Sequence, residues 1–163
     1  MSTTPATHRR VITRKVVDWA AWDWGSAAFN AVATTFVFTT YLTSDGVFTD
    51  AGTAATWLSN GMTIAGLFIA LLAPITGQRA DRRGRGGVWL GWFTGAVVLC
   101  MLAMYFVHPE SVLGPQGALM LGIALLGLGN VFFEFASVNY NALLNHLGEW
   151  EDRGQILGIG WAS

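Results

Sequence analysis

Gly77-Gln78-Arg79-Ala80-Asp81-Arg82-Arg83-Gly84-Arg85 is a basic stretch that separates two long apolar runs of the chain. Loops that are rich in Lys and Arg stay on the cytoplasmic side of a membrane, because charge is costly to move through hydrocarbon. The basic stretch, residues 77–85, is therefore predicted to be a cytoplasmic loop. It fixes the direction in which the flanking apolar runs cross the bilayer.

The apolar runs are long enough to form transmembrane helices, which need about 20 mostly apolar residues. Four windows reach this length, at residues 20–42, 56–77, 87–107 and 117–139. A fifth run, residues 154–163, would rise about 15 Å as a helix, which is roughly half of the hydrocarbon thickness.

The predicted fold is an all-α integral membrane protein with four complete transmembrane helices and the start of a fifth. Residues 1–19 are predicted to be a cytoplasmic tail, and residues 20–163 a partial N-terminal transmembrane half. Because native proteins rarely end within a bilayer, the chain is expected to be a fragment. Charged residues make up 12% of the chain and hydrophobic residues 53%, against about 25% charged residues in soluble domains. This composition excludes a disordered chain and disfavours a soluble one.

The basic residues are sorted by position, which predicts the orientation of the spans. They lie in the tail, in the basic stretch and, as Arg153, near the start of the fifth run. The intervening loops, at residues 43–55 and 108–116, contain acidic residues but neither Lys nor Arg. All basic residues therefore fall on one side of the membrane, and the N-terminus is predicted to be cytoplasmic.

Few side chains in this sequence suggest chemistry at a catalytic or metal site. Cys100 is the sole cysteine and lies within an apolar run, so neither a disulfide framework nor a metal-ligand spacing is present. No nucleophile–base pair or phosphate-binding loop occurs in the sequence, and we predict no enzyme activity, metal or cofactor. The basic stretch is too short, and too closely flanked by apolar residues, to predict nucleic-acid binding.

Two of the predicted spans carry polar residues at helical spacing. Polar groups within a span are expected to face the interior of a bundle or a wet cavity, because lipid does not solvate them. The residues of the first span fall close to one helical face, and so do those of the fourth. They are Asp23, Asn30, Thr34 and Tyr41 in the first span, and Asn130, Glu134, Ser137 and Asn141 in the fourth.

Glu134 is the most informative of these residues. A carboxylate at the centre of a membrane helix costs about 2.5–3.5 kcal/mol on insertion scales. One hypothesis places Glu134 on the wall of a solute path, where it could carry a proton. The alternative is a structural carboxyl group that is hydrogen-bonded to a neighbouring helix. The same two hypotheses apply to Asp23, which lies within about one turn of the interface and can stay hydrated there.

Aromatic and small residues predict how the spans sit and pack. Tryptophan prefers the headgroup region, so Trp22 and Trp57, near the starts of the first and second spans, are predicted to be interface anchors. Small residues allow close contact between membrane helices. Gly61, Ala65 and Gly66 are predicted to provide such a contact in the second span.

The basic stretch resembles a known motif at every fixed position. Its spacing, G-x-x-x-D-R-x-G-R, is formed by Gly77, Asp81, Arg82, Gly84 and Arg85. It resembles the loop between the second and third helices of major facilitator superfamily transporters. The resemblance implies that Asp81, Arg82 and Arg85 take part in gating between inward-open and outward-open states. The alternative is a positively charged anchor that binds lipid phosphates.

Further stretches are similar to one branch of that superfamily, which includes the fungal autophagy-related vacuolar amino-acid effluxer and bacterial relatives. They are residues 23–29, DWGSAAF, residues 140–144, YNALL, residues 151–154, EDRG, and residues 158–161, GIGW. The chain departs from the branch where Ser26 and Ala27 replace Asn-Ser and where Asn145 replaces proline. In this superfamily the first and fourth helices line the central cavity. A bacterial cytoplasmic membrane is the expected location.

The predicted function is that of the N-terminal portion of a secondary active transporter. Such a protein moves a small solute, for which the resemblance suggests amino acids, by alternating access of two six-helix halves. Its expected partners are the lipid bilayer, the solute, protons and the missing C-terminal half. Two other functions stay open, a self-contained membrane scaffold or regulatory subunit and a small four-helix multidrug exporter.

Overall fold

The computed structural model describes residues 14–83 and 86–147, and this part of the chain is helical without strands. Its α-helices are α1 (Arg14–Ala28), α2 (Phe38–Thr43), α3 (Ala51–Arg83), α4 (Gly86–Met104) and α5 (Gly114–Leu147), with a π-helix (Phe29–Phe36) between α1 and α2. Three helices contain stretches that are apolar and long enough to cross a membrane, at Ala51–Thr76, Gly86–Met104 and Gly114–Ala142. The second, third and fourth predicted spans are thus confirmed as helices that are long and apolar enough to cross a membrane. The fifth run lies outside the described residues.

The predicted first span, residues 20–42, is not one uninterrupted α-helix. Residues 14–43, called the first helical segment below, consist of α1, the π-helix and α2. The middle of the segment is rich in Val and Thr, whose branched side chains crowd the preceding helical turn and lower α-helix propensity. The segment begins at Arg14, so its start overlaps the predicted tail of residues 1–19.

The prediction that residues 77–85 form a loop is wrong for most of the stretch. Helix α3 continues through Gly77, Asp81 and Arg82 to Arg83. Arg, Gln and Ala favour helix, and cations are stabilised near a helix C-terminus by the helix dipole. A charged sequence can therefore leave the hydrocarbon and stay helical. Residues 84–85 lie outside the described residues, and α4 begins at Gly86.

Helix α5 forms the centre of the bundle. It packs along both α3 and α4, which have little contact with each other, and the first helical segment also touches it. Half of the apolar stretch of α5 is buried, against about a tenth of those in α3 and α4. Leu119 and Leu126 on α5 and Leu42 on α2 are fully buried. Lipid would therefore meet α3 and α4 before it meets α5.

Glycines set the distance between the helices at two of these contacts. A Cβ atom at Gly61 of α3 would overlap Cγ2 of Ile123 on α5, and one at Gly122 would lie 2.6 Å from Cδ2 of Leu42. Four residues along α5 from Ile123, a Cβ atom at Gly127 would lie 3.5 Å from the Cβ of Ala65. The close contact predicted for Gly61 and Ala65 is therefore confirmed. Gly66 meets nothing within 4 Å and makes no such contact.

Two carboxylates hold the start of α3. Asp50 Oδ1 accepts a hydrogen bond from the Thr53 backbone N–H at 2.9 Å, and Asp45 Oδ1 accepts one from the Ala51 N–H at 3.1 Å. Free N–H groups at a helix start are satisfied in this way, and the helix dipole favours negative charge there. The hydrogen bonds from Thr53 hold the pKa of Asp50 below its ordinary value. The acidic loop at residues 44–50 thus has a structural role.

Candidate functional site

The first helical segment and α5 run antiparallel and meet through a row of aromatic rings. The Trp22 and Tyr140 rings stack with centroids 4.3 Å apart, and those of Phe29 and Phe133 stack at 5.2 Å. Residue numbers rise along the segment as they fall along α5. Two of the predicted site residues, Asn30 and Glu134, directly follow the Phe29 and Phe133 pair in sequence. The polar residues of the two elements are therefore brought to similar depths in the bundle.

The polar stripe of α5 consists of Asn130, Glu134, Ser137 and Asn141. At about 100° per residue these four positions fall within about 60° of one another, which places them on one face of the helix. The stripe continues the row of Ile123 and Gly127, which contact α3, and lies beside the row of Gly129 and Phe133, which approach Phe29. It therefore faces the space between α3 and the first helical segment.

Helix α3 leaves this space partly uncovered. Ala65 is the last buried residue of α3 among the side chains that the structure describes. Beyond it, Leu67, Phe68 and Leu71 are more than half exposed. In the polar stripe, Asn130, Glu134 and Ser137 are half-buried and Asn141 is exposed. The stripe is thus partly exposed rather than sealed in the core.

Glu134 lies within the apolar part of α5. It is eight residues before the end of the apolar stretch at Ala142, a distance of about 12 Å along the helix axis. A carboxylate within an apolar stretch of this kind is expected to be solvated by protein groups or by a wet space. Glu134 is only half-buried, so part of its side chain stays accessible to water or a solute.

The polar residues of the first helical segment are held in different ways. Asp23 is half-buried and Asn30 is exposed. The Thr34 hydroxyl donates to the Asn30 carbonyl oxygen at 2.6 Å, so it satisfies the π-helix backbone. Tyr41 donates to the Val107 carbonyl oxygen at 3.2 Å and links α2 to the loop after α4. Asp23 and Asn30 therefore remain as the candidate solute-facing groups of this segment.

Asp23 lies beside the hydroxyl group of Tyr140 on α5, close enough for the two groups to interact electrostatically. The ring of Tyr140 is stacked on Trp22, the neighbour of Asp23 in sequence. The indole N–H of Trp22 donates to Thr94 Oγ1 of α4 at 2.9 Å. Trp22 is therefore not the interface anchor that its sequence position predicts, because its ring and its N–H are both used between helices.

Asn139 is the polar residue that sequence reasoning missed. It is fully buried, and its Nδ2 donates to the Phe135 carbonyl oxygen at 2.7 Å. Its Oδ1 has no hydrogen-bond partner within the described structure. Asn139 lies off the polar stripe, on the side of α5 where Phe135 meets Phe93 of α4. The helical spacing of the polar stripe therefore did not indicate that Asn139 is a buried polar residue.

The motif residues lie apart from the polar stripes. Gly77, Asp81 and Arg82 belong to the last turns of α3. Gly84 and Arg85, and the side-chain contacts of the motif, lie outside the described residues. Their predicted gating role remains a prediction.

Among the cavities between the described helices are two whose walls contain none of the four polar-stripe residues. The larger, of about 590 Å³, is an apolar groove between α3 and α5, and its lining includes Trp57, Gly61 and Gly127. The smaller, of about 220 Å³, lies among the first helical segment, α4 and α5, with Trp22, Ser26 and Thr94 in its wall. Within residues 14–83 and 86–147, no group of three or more potential metal ligands occurs.

Protein families, curated proteins and solved structures give no match to this chain. The described residues place the Glu134 carboxyl group within the apolar stretch of α5, on a stripe with amide and hydroxyl groups, and a second carboxylate, Asp23, on the neighbouring segment. Such a set can bind a polar solute or hold a proton.

Proposed function

We propose that the chain is the N-terminal portion of a secondary active transporter that moves a small polar solute across a membrane. The observation that carries the proposal is Glu134, a carboxyl group within the apolar stretch of α5, on a polar stripe that is only partly buried. Carboxylates at membrane depth usually mark solute or proton pathways. Asp23 and Asn30, at similar depths on the first helical segment, supply a second polar wall.

In this proposal the first helical segment is also a transmembrane element, so the chain has four complete spans arranged as in the major facilitator fold. All basic residues then face the cytoplasm, and the acidic loop at residues 44–50 lies outside. Labelling of single cysteines placed at Asp50 and at Gln78, with Cys100 replaced by Ser, checks this orientation. The two sites should react from opposite sides of sealed vesicles. Reaction from the same side would contradict it.

The motif Gly77, Asp81, Arg82, Gly84 and Arg85 is proposed to gate the transporter, with Asp81 and the arginines forming a charge cluster at the end of α3. A simple lipid anchor needs the arginines but not the acid. Asp81→Asn therefore separates the two roles. Loss of transport with normal membrane insertion supports gating, and unchanged transport supports the anchor.

The decisive experiment is a solute screen with the protein encoded by the whole reading frame, reconstituted into liposomes under a pH gradient. Amino acids are the first solutes to test. Extension of the reading frame past Ser163 should add the spans of a second six-helix half. Concentrative uptake that depends on Glu134 would support the proposal. A frame that adds no further span would favour the second candidate, a membrane scaffold.

The scaffold is favoured by one observation, the close contact of α3 and α5 at Gly61 and Ile123. Small residues at such contacts are typical of tightly packed membrane helices. A scaffold does not require a carboxyl group at the depth of Glu134. If the protein is a scaffold, the bundle should keep its stability after Glu134→Gln, and the native protein should show no uptake. Measurements of both test this candidate.

A further inference from the structure

The π-helix Phe29–Phe36 divides the first helical segment into two parts that are held to different neighbours. On its N-terminal side, Trp22 bonds to Thr94 and stacks on Tyr140. On its C-terminal side, Leu42 is fully buried against the position of Gly122, and the Tyr41 hydroxyl donates to the Val107 carbonyl oxygen. Each end is thus fixed by its own contacts.

The middle of the segment is held much less firmly. Phe29 and Ala33 are the buried residues of the π-helix. The side chains that follow are turned outward, with Phe36 69% and Val37 59% exposed. Packing therefore holds Phe29 and Ala33 at the start of the π-helix, whereas the exposed residues 35–37 have few contacts that would hold the backbone register.

The backbone hydrogen bonds change register at the C-terminal end of the π-helix. The Val37 N–H donates to the Val32 carbonyl oxygen, five residues back, whereas the Tyr41 N–H donates to the Val37 carbonyl oxygen, four residues back. Between these bonds, the Thr39 hydroxyl donates to the Thr34 carbonyl oxygen at 2.8 Å. A side-chain hydroxyl group can donate to a carbonyl oxygen that has no backbone N–H partner. This lowers the free-energy cost of a change in the hydrogen-bond register of the helix. π-Helical turns are rare and occur frequently at functional sites.

We propose that the π-helix Phe29–Phe36 is a register switch within the first helical segment. Replacement of i→i+5 by i→i+4 hydrogen bonds shifts the ladder by one residue. In an α-helix one residue corresponds to about 100° of rotation and 1.5 Å of rise. The change turns α1 relative to α2, breaks the bond between Trp22 and Thr94, and moves Asp23 away from the Tyr140 hydroxyl. In the proposed transporter, this motion would change the access of solute to Asp23.

Distances between spin labels test the switch. The labels are attached to cysteines at Val17 on α1 and Val88 on α4, both more than half exposed, in a Cys100→Ser background. The native segment should give two populations of distances. Deletion of Ala31 removes the extra residue of the π-helix and should leave one population. Ala31→Leu keeps the chain length and should leave both.

Trp22→Phe is the second test, and it decides the question if the deletion variant does not fold. It removes the N–H that bonds to Thr94 but keeps an aromatic ring against Tyr140, so the population with α1 turned should rise. A single population in the native segment would overturn the proposal. Two populations with the same ratio in the native protein, the Ala31 deletion variant and Trp22→Phe would also overturn it. These distances need no solute, so a failure to transport would leave the switch intact and contradict only the proposed function.

Discussion

The indole N–H of Trp22 donates a hydrogen bond to Thr94 Oγ1 at 2.9 Å and thereby ties α1 to α4. Since α1 and α4 are separated in sequence by α2 and α3, this bond is formed only in the assembled bundle. It uses a tryptophan that stands where an interface anchor is expected.

Thr94→Val should destabilise the bundle because it leaves the Trp22 N–H without its acceptor. Hydrogen bonds between membrane helices are worth about 0.6–1.7 kcal/mol, so a small fall in thermal midpoint is expected in detergent. Thr94→Ser retains the hydroxyl group and is the matched control. Equal midpoints for the Val and Ser variants would show that the bond does not stabilise the protein.

Gly61→Leu should be among the most damaging single changes in α3. A side chain at Gly61 overlaps Ile123, and overpacking costs about 1–3 kcal/mol. Gly66→Leu, five residues further along the same helix, meets nothing within 4 Å and should be tolerated. Urea or thermal unfolding in detergent compares the two variants. Partial rescue of Gly61→Leu by Ile123→Ala would identify the contact, and equal effects at both glycines would refute it.

Glu134→Gln should abolish the dependence of transport on a pH gradient, because an amide cannot carry a proton. Glu110→Gln, in the exposed loop between α4 and α5, is the matched control and should behave as the native protein does. Uptake into liposomes of the protein from the whole reading frame, measured at several internal and external pH values, checks this. An unchanged rate and pH profile in Glu134→Gln would eliminate the proton-carrier role.

Asp50 should make the stability of the bundle depend on pH in the acid range. The hydrogen bonds from Thr53 lower its folded pKa below the ordinary value of 3.8. The group therefore contributes stability above that value and loses it as the pH falls towards the folded pKa. Asp50→Asn keeps an acceptor for the helix start and should remove this part of the acid dependence, whereas Asp50→Ala should lower the thermal midpoint at neutral pH as well. Acid profiles that coincide for the native protein and Asp50→Asn would contradict the prediction.

Hydropathy and length predicted four complete membrane-length helices, and the structure has three of them, because a stretch of about 20 apolar residues has few alternatives to a helix in lipid. The predicted first span, residues 20–42, is instead divided by the π-helix. The same reasoning failed at residues 77–85. Charge predicts which residues leave the membrane but not where a helix ends, and α3 stays helical as far as Arg83.

The polar stripe of α5 was predicted from spacing alone, since residues three, four and seven apart share a helical face. The π-helix was not predicted, because its register depends on how both ends of the segment are anchored. For a related reason, the role predicted for Trp22 was wrong and that of Asn139 was missed. Their partners or surroundings belong to other helices, and no local pattern encodes them.

The sequence by itself determined that the chain is helical and apolar and that Glu134 lies within one of its apolar runs, because these properties follow from local composition and helical period. Only the tertiary structure decided that α5 is central, that Trp22 bonds to Thr94, and that the first helical segment contains a π-helix. Those features arise from contacts between residues that are distant in sequence. Hydropathy does not distinguish one packing of these helices from another, and the fit of side chains between helices selects one of them.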